Sequence, residues 1–224
     1  MLQSRLLTLA AGTALVVVPA AATAAKPGKS AVTIAAKPLT VTFGKATTIS
    51  GRATGNGAGG ASIALQHDPF PFEGKFVTGT TTKADAQGGY AFTGVRPAVN
   101  NHYRVIAKTK PKATSPVVQV NVRPRVTLRV SDKTPKRGRR VRFRGTVLPA
   151  HNGRRAVIQK RTSSGWKRVA RPLLKPATPL NGVPRSKYGK RVRIKATRTY
   201  RVVFVPGDGD HVRGKSRKRR LVVH

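Results

Sequence analysis

Cysteine is absent from these 224 residues, and acidic residues are scarce. Without cysteine there is no disulfide framework, no thiol nucleophile, no thiolate metal site and no lipid-attached Cys. The six Asp and Glu leave few places for the paired carboxylates of general acid–base chemistry. Aromatics make up 5% of the chain, with one Trp, which is thin material for a platform on which bases stack. Beyond the N-terminal region no apolar run reaches membrane-spanning length. No stretch carries the 3.6-residue apolar stripe of an amphipathic helix.

What the chain has is positive charge, 45 Lys+Arg and a formal net charge of +39. It is uneven. Residues 123–224 hold 32 basic residues against three acids, Asp132, Asp208 and Asp210; residues 26–122 hold 12 against three. A body this charged repels itself and gathers polyanions at its surface.

The first residues read as an export signal. Met1–Arg5 is a short basic n-region, Leu6–Ala22 is almost wholly apolar, and Ala22-Thr23-Ala24 is a small-x-small cleavage site. The apolar run is at the low end for a span and contains Pro19, which favours a cleaved signal peptide over residues 1–24. The protein is expected to be secreted or held in the cell envelope, with no membrane span in the mature chain.

The remainder repeats itself. Val32-Thr33-Ile34 is followed by Gly44 and Gly51, and Val126-Thr127-Leu128 by Gly138 and Gly145, each at an offset of 94. Ala64-Leu65-Gln66 matches Val157-Ile158-Gln159, Tyr103-Arg104-Val105 matches Tyr200-Arg201-Val202, and Ser115 matches Ser216. A period this long is a whole domain rather than a solenoid unit. Two copies are expected, over residues 30–123 and 124–224, meeting at the short Val122-Arg123-Pro124-Arg125.

Within each copy apolar and polar residues alternate. Val141 and Phe143 alternate with Arg140, Arg142 and Arg144; Val192 and Ile194 with Arg191, Arg193 and Lys195; Val126 and Leu128 with Arg125 and Arg129. Period two places one face on a core and one in water. Gly and Pro interrupt the chain every eight to twelve residues. About seven short strands per copy predicts an all-β chain of two tandem immunoglobulin-like β-sandwiches, in preference to small barrels.

Particular residues carry a family likeness. Asp85-Ala86-Gln87-Gly88-Gly89-Tyr90-Ala91-Phe92 resembles the D-x-x-G-x-Y-x-F hairpin of bacterial Ig-like and carboxypeptidase-regulatory-like domains. Tyr200–Phe204, then Gly207-Asp208-Gly209-Asp210-His211, then Ser216 and a closing valine strand are similar to the last two strands of bacterial Ig-like repeats. The second copy lacks the D-x-x-G hairpin. The resemblance implies a spacer or adhesive module of secreted and surface proteins.

Candidate sites are few. Gly55–Gly60 spells G-x-G-x-x-G, but neither the helix nor the downstream acid of a dinucleotide site follows it, so a glycine-rich loop is expected. Asp208, Asp210 and His211 form the one close group of possible ligands; with the other histidines remote in sequence, they read as a turn, and no metal site is assigned. No cofactor and no catalytic residue is assigned, and no G-x-S-x-G elbow occurs. His67–Gly74 reads as an aromatic loop whose Phe70 and Phe72 fold back over the end of the sandwich. Pro172–Arg185, with four prolines, reads as a long mobile loop.

The basic strands carry the strongest functional signal. In such a sandwich the first, second and fifth strands share a sheet. That arrangement puts Arg125, Arg129, Arg140, Arg142, Arg144, Arg191, Arg193 and Lys195 on one outward face. The expected partners are anionic polymers, namely wall polymer, acidic polysaccharide or extracellular DNA, bound with little specificity. Two other readings remain open: an adhesive or spacer module for a protein or neutral glycan, with the charge incidental, and a dedicated nucleic-acid-binding protein.

Overall fold

The computed structural model describes residues 29–224, and the signal-peptide segment lies outside the described residues. Among the described residues there is no helix, and so none long and apolar enough to cross a membrane. The chain is all-β.

Residues 31–123 form β1 (Ala31–Val32), β2 (Ala35–Lys37), β3 (Thr40–Thr42), β4 (Thr47–Thr54), β5 (Ser62–Pro69), β6 (Val77–Lys83), β7 (Gly89–Val95), β8 (Asn101–Ala107), β9 (Ala113–Thr114) and β10 (Val118–Arg123). Residues 125–221 form β11 (Arg125–Val126), β12 (Arg129–Val130), β13 (Arg140–Leu148), β14 (Val157–Thr162), β15 (Gly165–Ala170), β16 (Lys175–Leu180), β17 (Val183–Arg193), β18 (Arg198–Phe204), β19 (Gly214–Lys215) and β20 (Arg219–Leu221).

Each set divides into two sheets, a β-sandwich-like arrangement. The first set gives β1-β4-β2, with β7 also on β4, and β3-β10-β8-β5-β6, with β9 also on β8. The second gives β11-β13-β17-β16, with β12 also on β13, and β15-β14-β18-β19, with β20 also on β18. The correspondence is close: β1 and β11, β4 and β13, β7 and β17, β5 and β14, β8 and β18 hold the same places. Strand β3, which runs parallel to β10, belongs to the first set alone, and β16 to the second alone.

Two separate apolar clusters lie between the paired sheets. One gathers Ile49, Ile63, Val105, Val120 and Phe92; the other gathers Phe143, Ile158, Ile194, Val202 and Phe204. Fully burying side chains of this size contributes roughly 1.5–3 kcal/mol each, which is what drives period-two strands to stack.

The repeat extends to individual hydrogen bonds. The Tyr90 hydroxyl donates to the Thr33 carbonyl, and the Tyr188 hydroxyl to the Thr127 carbonyl. In both places a glycine makes room: a Cβ on Gly51 or Gly145 would fall inside the contact radius of that same carbonyl. Ser115 Oγ accepts from the Val105 amide, and Ser216 Oγ from the Val202 amide. Arg104 Nε donates to Gln66, and Arg201 Nε to Gln159, both at 2.8 Å.

Two loop expectations require correction. Pro172–Arg185 is not a mobile loop; it forms β16 and the start of β17, a hairpin in which Leu180 pairs with Val183. Its turn is Asn181-Gly182, with φ of 49° and 75°. Both values are positive, as a two-residue type I′ turn requires. Pro176 and Pro179 are tolerated because β16 is the edge of its sheet, where a missing amide breaks no central ladder. Likewise His67-Asp68-Pro69 belong to β5, and the loop starts at Phe70. Phe72 does fold back, stacking on His102 with ring centroids 3.9 Å apart, and Phe70 meets Phe72 edge-on. Gly55–Gly60 connects β4 to β5, in agreement with a glycine-rich loop.

Candidate functional site

Strands β13 and β17 decide where the arginines point. Val141 and Phe143 on β13 and Val192 on β17 are buried in the second cluster. By strand alternation Arg140, Arg142, Arg144, Arg191 and Arg193 then face solvent, and all five are exposed. The register aligns them. Arg140 lies opposite Arg193, Arg142 opposite Arg191, and Arg129 on β12 opposite Arg144. Arg125, on β11, continues the face beside Leu148. Lys195, also exposed, sits just beyond the end of β17. The structure therefore brings together seven of the eight residues read from the sequence on a single sheet, with the eighth at its margin.

Like charges directly opposite across a ladder are destabilising, by tenths of a kcal/mol per pair. Nothing nearby offsets this. Among the described residues the ion pairs are Lys75–Glu73 and the contacts of Asp210 with two histidines, so no arginine of the face meets a carboxylate. Of the eight, Arg193 alone bonds its side chain to the protein, donating through Nε to the Gly138 carbonyl at 3.1 Å. The other guanidinium groups share one sheet face with no protein partner for their donors.

The face is concave. A groove of about 520 Å³ is lined by Arg125, Arg129, Arg142 and Arg144, by Arg185 and Lys187, and by Thr127 and Thr146, with Leu148 and Leu180 as apolar wall. A second depression shares Arg142 and Lys187 and adds Lys175, Lys190 and Arg191. Arg185, Lys187, Lys190 and Lys175 were not assigned to the site from the sequence. They enter because β17 is longer than its counterpart β7 and because β16 pairs with it. The signal that could have found them is Asn181-Gly182, which sets the hairpin register.

The opposite sheet of the second half is also basic, and there two of the arginines gather on Trp166. Arg201 donates to Gln159 and lies 4.0 Å over the Trp166 ring, with Arg161 5.9 Å from the same ring. Burial, then the charges of Arg213 and Arg161, lowers Arg201 from its ordinary value.

Asp208, Asp210 and His211 do lie in the β18–β19 loop, as the turn reading requires. The remoteness of other histidines in sequence does not carry over into space. His151, in the β13–β14 loop, sits with Nε2 4.0 Å from Asp210 Oδ1, while His211 Nδ1 is 2.9 Å from Asp210 Oδ2. Burial alone would raise the Asp210 carboxyl, but its contacts with Asp208 and His211 and the charges of His211 and His151 hold it below its usual range. The hydrogen bond to Asp210, then burial and the Asp210 charge, raises Asp208.

No family model matches the sequence, and no curated protein matches it. Among solved structures the chain is similar to red sea bream transglutaminase, with 12% sequence identity and a TM-score of 0.41. That match covers 86% of this chain and 31% of the other, so the chain spans about a third of the enzyme's length.

Proposed function

We propose that this is a secreted, non-catalytic protein of two tandem immunoglobulin-like sandwiches, residues 30–123 and 124–224, held by charge to anionic polymers outside the cell. The observation that carries the reading is the β12-β13-β17 face. Its arginines stand opposite one another, have no carboxylate partner, and border a groove with lysines at its edge. A polyanion laid on this face relieves the cross-strand repulsion and releases its own condensed counterions. Arginine suits the task because its planar fork grips phosphate or carboxylate with two parallel hydrogen bonds.

A dedicated single-strand nucleic-acid binder is less well supported. Phe143, Tyr188, Tyr200 and Phe204 are buried, and the Trp166 face is taken by Arg201, which leaves no aromatic row for bases in the basic half. The polymer is then recognised by charge density: acidic wall polymer, acidic polysaccharide or duplex DNA, with little discrimination among them.

The test is a salt wash of intact cells followed by binding in vitro. The exported protein, starting near Ala25 or Lys26 by mass spectrometry, should leave the cell surface at raised ionic strength. Purified, it should bind heparin and duplex DNA with log affinity falling linearly against log salt. Retention through a high-salt wash, together with a flat salt dependence, would favour a protein or neutral glycan ligand instead.

A further inference from the structure

Three polar atoms converge, buried and without a hydrogen-bond partner, where the β13–β14 and β18–β19 loops meet: His151 Nε2, Asp210 Oδ1 and His211 Nδ1. The imidazole side chains are 5% and 2% exposed. Leaving a buried polar group unpartnered is costly, so three together need a reason.

The outer ring nitrogens supply part of it. His151 Nδ1 lies 3.0 Å from the Pro149 carbonyl, and His211 Nε2 lies 2.9 Å from the Ala98 carbonyl. A carbonyl only accepts, so those nitrogens carry the protons. In the neutral rings His151 Nε2 and His211 Nδ1 are then bare lone pairs, and both are turned on the Asp210 carboxylate. A lone pair 2.9 Å from a carboxylate oxygen is repulsive unless a positive centre lies between them. A proton on His211 relieves that contact alone and leaves His151 Nε2 and Asp210 Oδ1 unpaired, 4.0 Å apart. A divalent cation relieves all three.

We propose that His151 Nε2, Asp210 and His211 Nδ1 form a zinc-type metal site, with Asp208 or a water as the fourth ligand. Two imidazole nitrogens and one carboxylate are a ligand set that zinc takes. The ligand atoms lie within 4.8 Å of one another. A tetrahedral site needs about 3.3 Å between ligand atoms, from metal–ligand distances near 2.0 Å. The loops need a small contraction to reach it. Both histidines already donate their outer N–H to a backbone carbonyl, the support that fixes the tautomer of metal-bound imidazoles. Asp208 and Asp210 are two of the three acids of residues 123–224, so they offset the cation's charge in an otherwise basic half.

The placement assigns the metal a role. The same loop holds the two halves together. Asn100 Nδ2 donates to the Gly209 carbonyl at 2.8 Å, the Asn100 amide to the Asp210 carbonyl at 2.7 Å, and the Val212 amide to the Val122 carbonyl at 2.8 Å. Tying Asp210 and His211 to His151 fixes that loop, and with it the seam. This inference rests on atoms that do not line the arginine groove, and it stands or falls separately from the polymer-binding reading.

The experiment uses the full mature chain, freed of metal with a chelator and titrated with Co²⁺, then Zn²⁺. One equivalent of Co²⁺ should develop visible ligand-field bands of low coordination number, and Zn²⁺ should abolish them. Zinc at one hundred times its dissociation constant should raise the folded-to-unfolded ratio about 100-fold. H151Q and D210N should each weaken binding about tenfold or more. Because either variant could fail to fold, imidazole ¹⁵N shifts are also read in the unsubstituted protein. Zinc should move His151 Nε2 and His211 Nδ1 and leave His67 and His102 in place. A Co²⁺ spectrum that stays octahedral, ¹⁵N shifts that do not move, or folded H151Q with unchanged affinity would each overturn the site. The cluster would then be an imidazolium–carboxylate network.

Discussion

Replacing Gly145 by alanine should strongly destabilise the second half while sparing the first. The added Cβ would overlap the Thr127 carbonyl oxygen and stand 2.6 Å from the Tyr188 hydroxyl and 2.8 Å from the Thr127 carbonyl carbon. Thr127 cannot simply retreat. Its amide donates to the Thr146 carbonyl at 2.9 Å, and its hydroxyl accepts from the Thr146 amide at 2.8 Å. Overpacking of this kind costs about 1–3 kcal/mol. Stranding the buried Tyr188 hydroxyl, which loses the Thr127 carbonyl, costs about 1–3 kcal/mol more. A loss of about 2–6 kcal/mol is a large part of a typical domain stability of about 5–15 kcal/mol. For a half of this size the melting point should fall by at least about 8 °C. Guanidinium and thermal unfolding followed by circular dichroism would read it, with Trp166 fluorescence reporting the second half alone. Tyr188→Phe in the G145A background should recover only part of the loss, since the carbonyl overlap remains. Gly51→Ala should produce the mirror result, a loss confined to the first half. A G145A protein within about 0.5 kcal/mol of the parent would refute the claim that this close approach is built into the fold.

Residues 30–123 and 124–224, expressed apart, should each give β-type circular dichroism and a cooperative melt, because each has its own apolar cluster; failure of both would undo the domain division. Burial raises the hydroxyls of all four tyrosines, Tyr103 to about 12. The native state therefore keeps protons that the unfolded chain releases near pH 10, so stability is full below pH 10 and falls as pH climbs toward 12. Phenolate absorbance should appear only as the fold is lost; a signal titrating near pH 10 with intact circular dichroism would contradict the buried placement. Gly182→Val, at a φ of 75°, should cost about 1–2 kcal/mol and loosen the amides of β16 in hydrogen exchange, while leaving β13 protected.

The alternation Arg140-Val141-Arg142-Phe143-Arg144 was sufficient to phase β13, because one buried aromatic in a period-two run admits only one orientation. The offset of 94 located the Gly51 and Gly145 clasps without identifying the Tyr90 and Tyr188 hydroxyls that make them necessary. Proline content hid β16. Pro176 and Pro179 argue against a central strand, and nothing local reveals that this strand lies at an edge. Asn181-Gly182 was the legible signal there, and composition outweighed it. His151 could not be joined to Asp210 and His211 from spacing, since their meeting depends on how the loop that crosses between the sheets packs on the β18–β19 loop.

The central claim is that charge on one sheet face holds the protein to its polymer, and the salt dependence of binding tests it most directly. Arg140, Arg142, Arg144, Arg191 and Arg193 are replaced together by Ser, and affinity for heparin and duplex DNA is measured across ionic strength. On duplex DNA each lost phosphate contact removes about 0.9 from the log–log slope, so five arginines should flatten it by up to about 4.5. The variant should stay folded, because those side chains face solvent and Arg193 gives up a single bond to Gly138. A folded variant whose slope and affinity match the parent would contradict the account and move the binding charge elsewhere, to Arg213–Arg220 first.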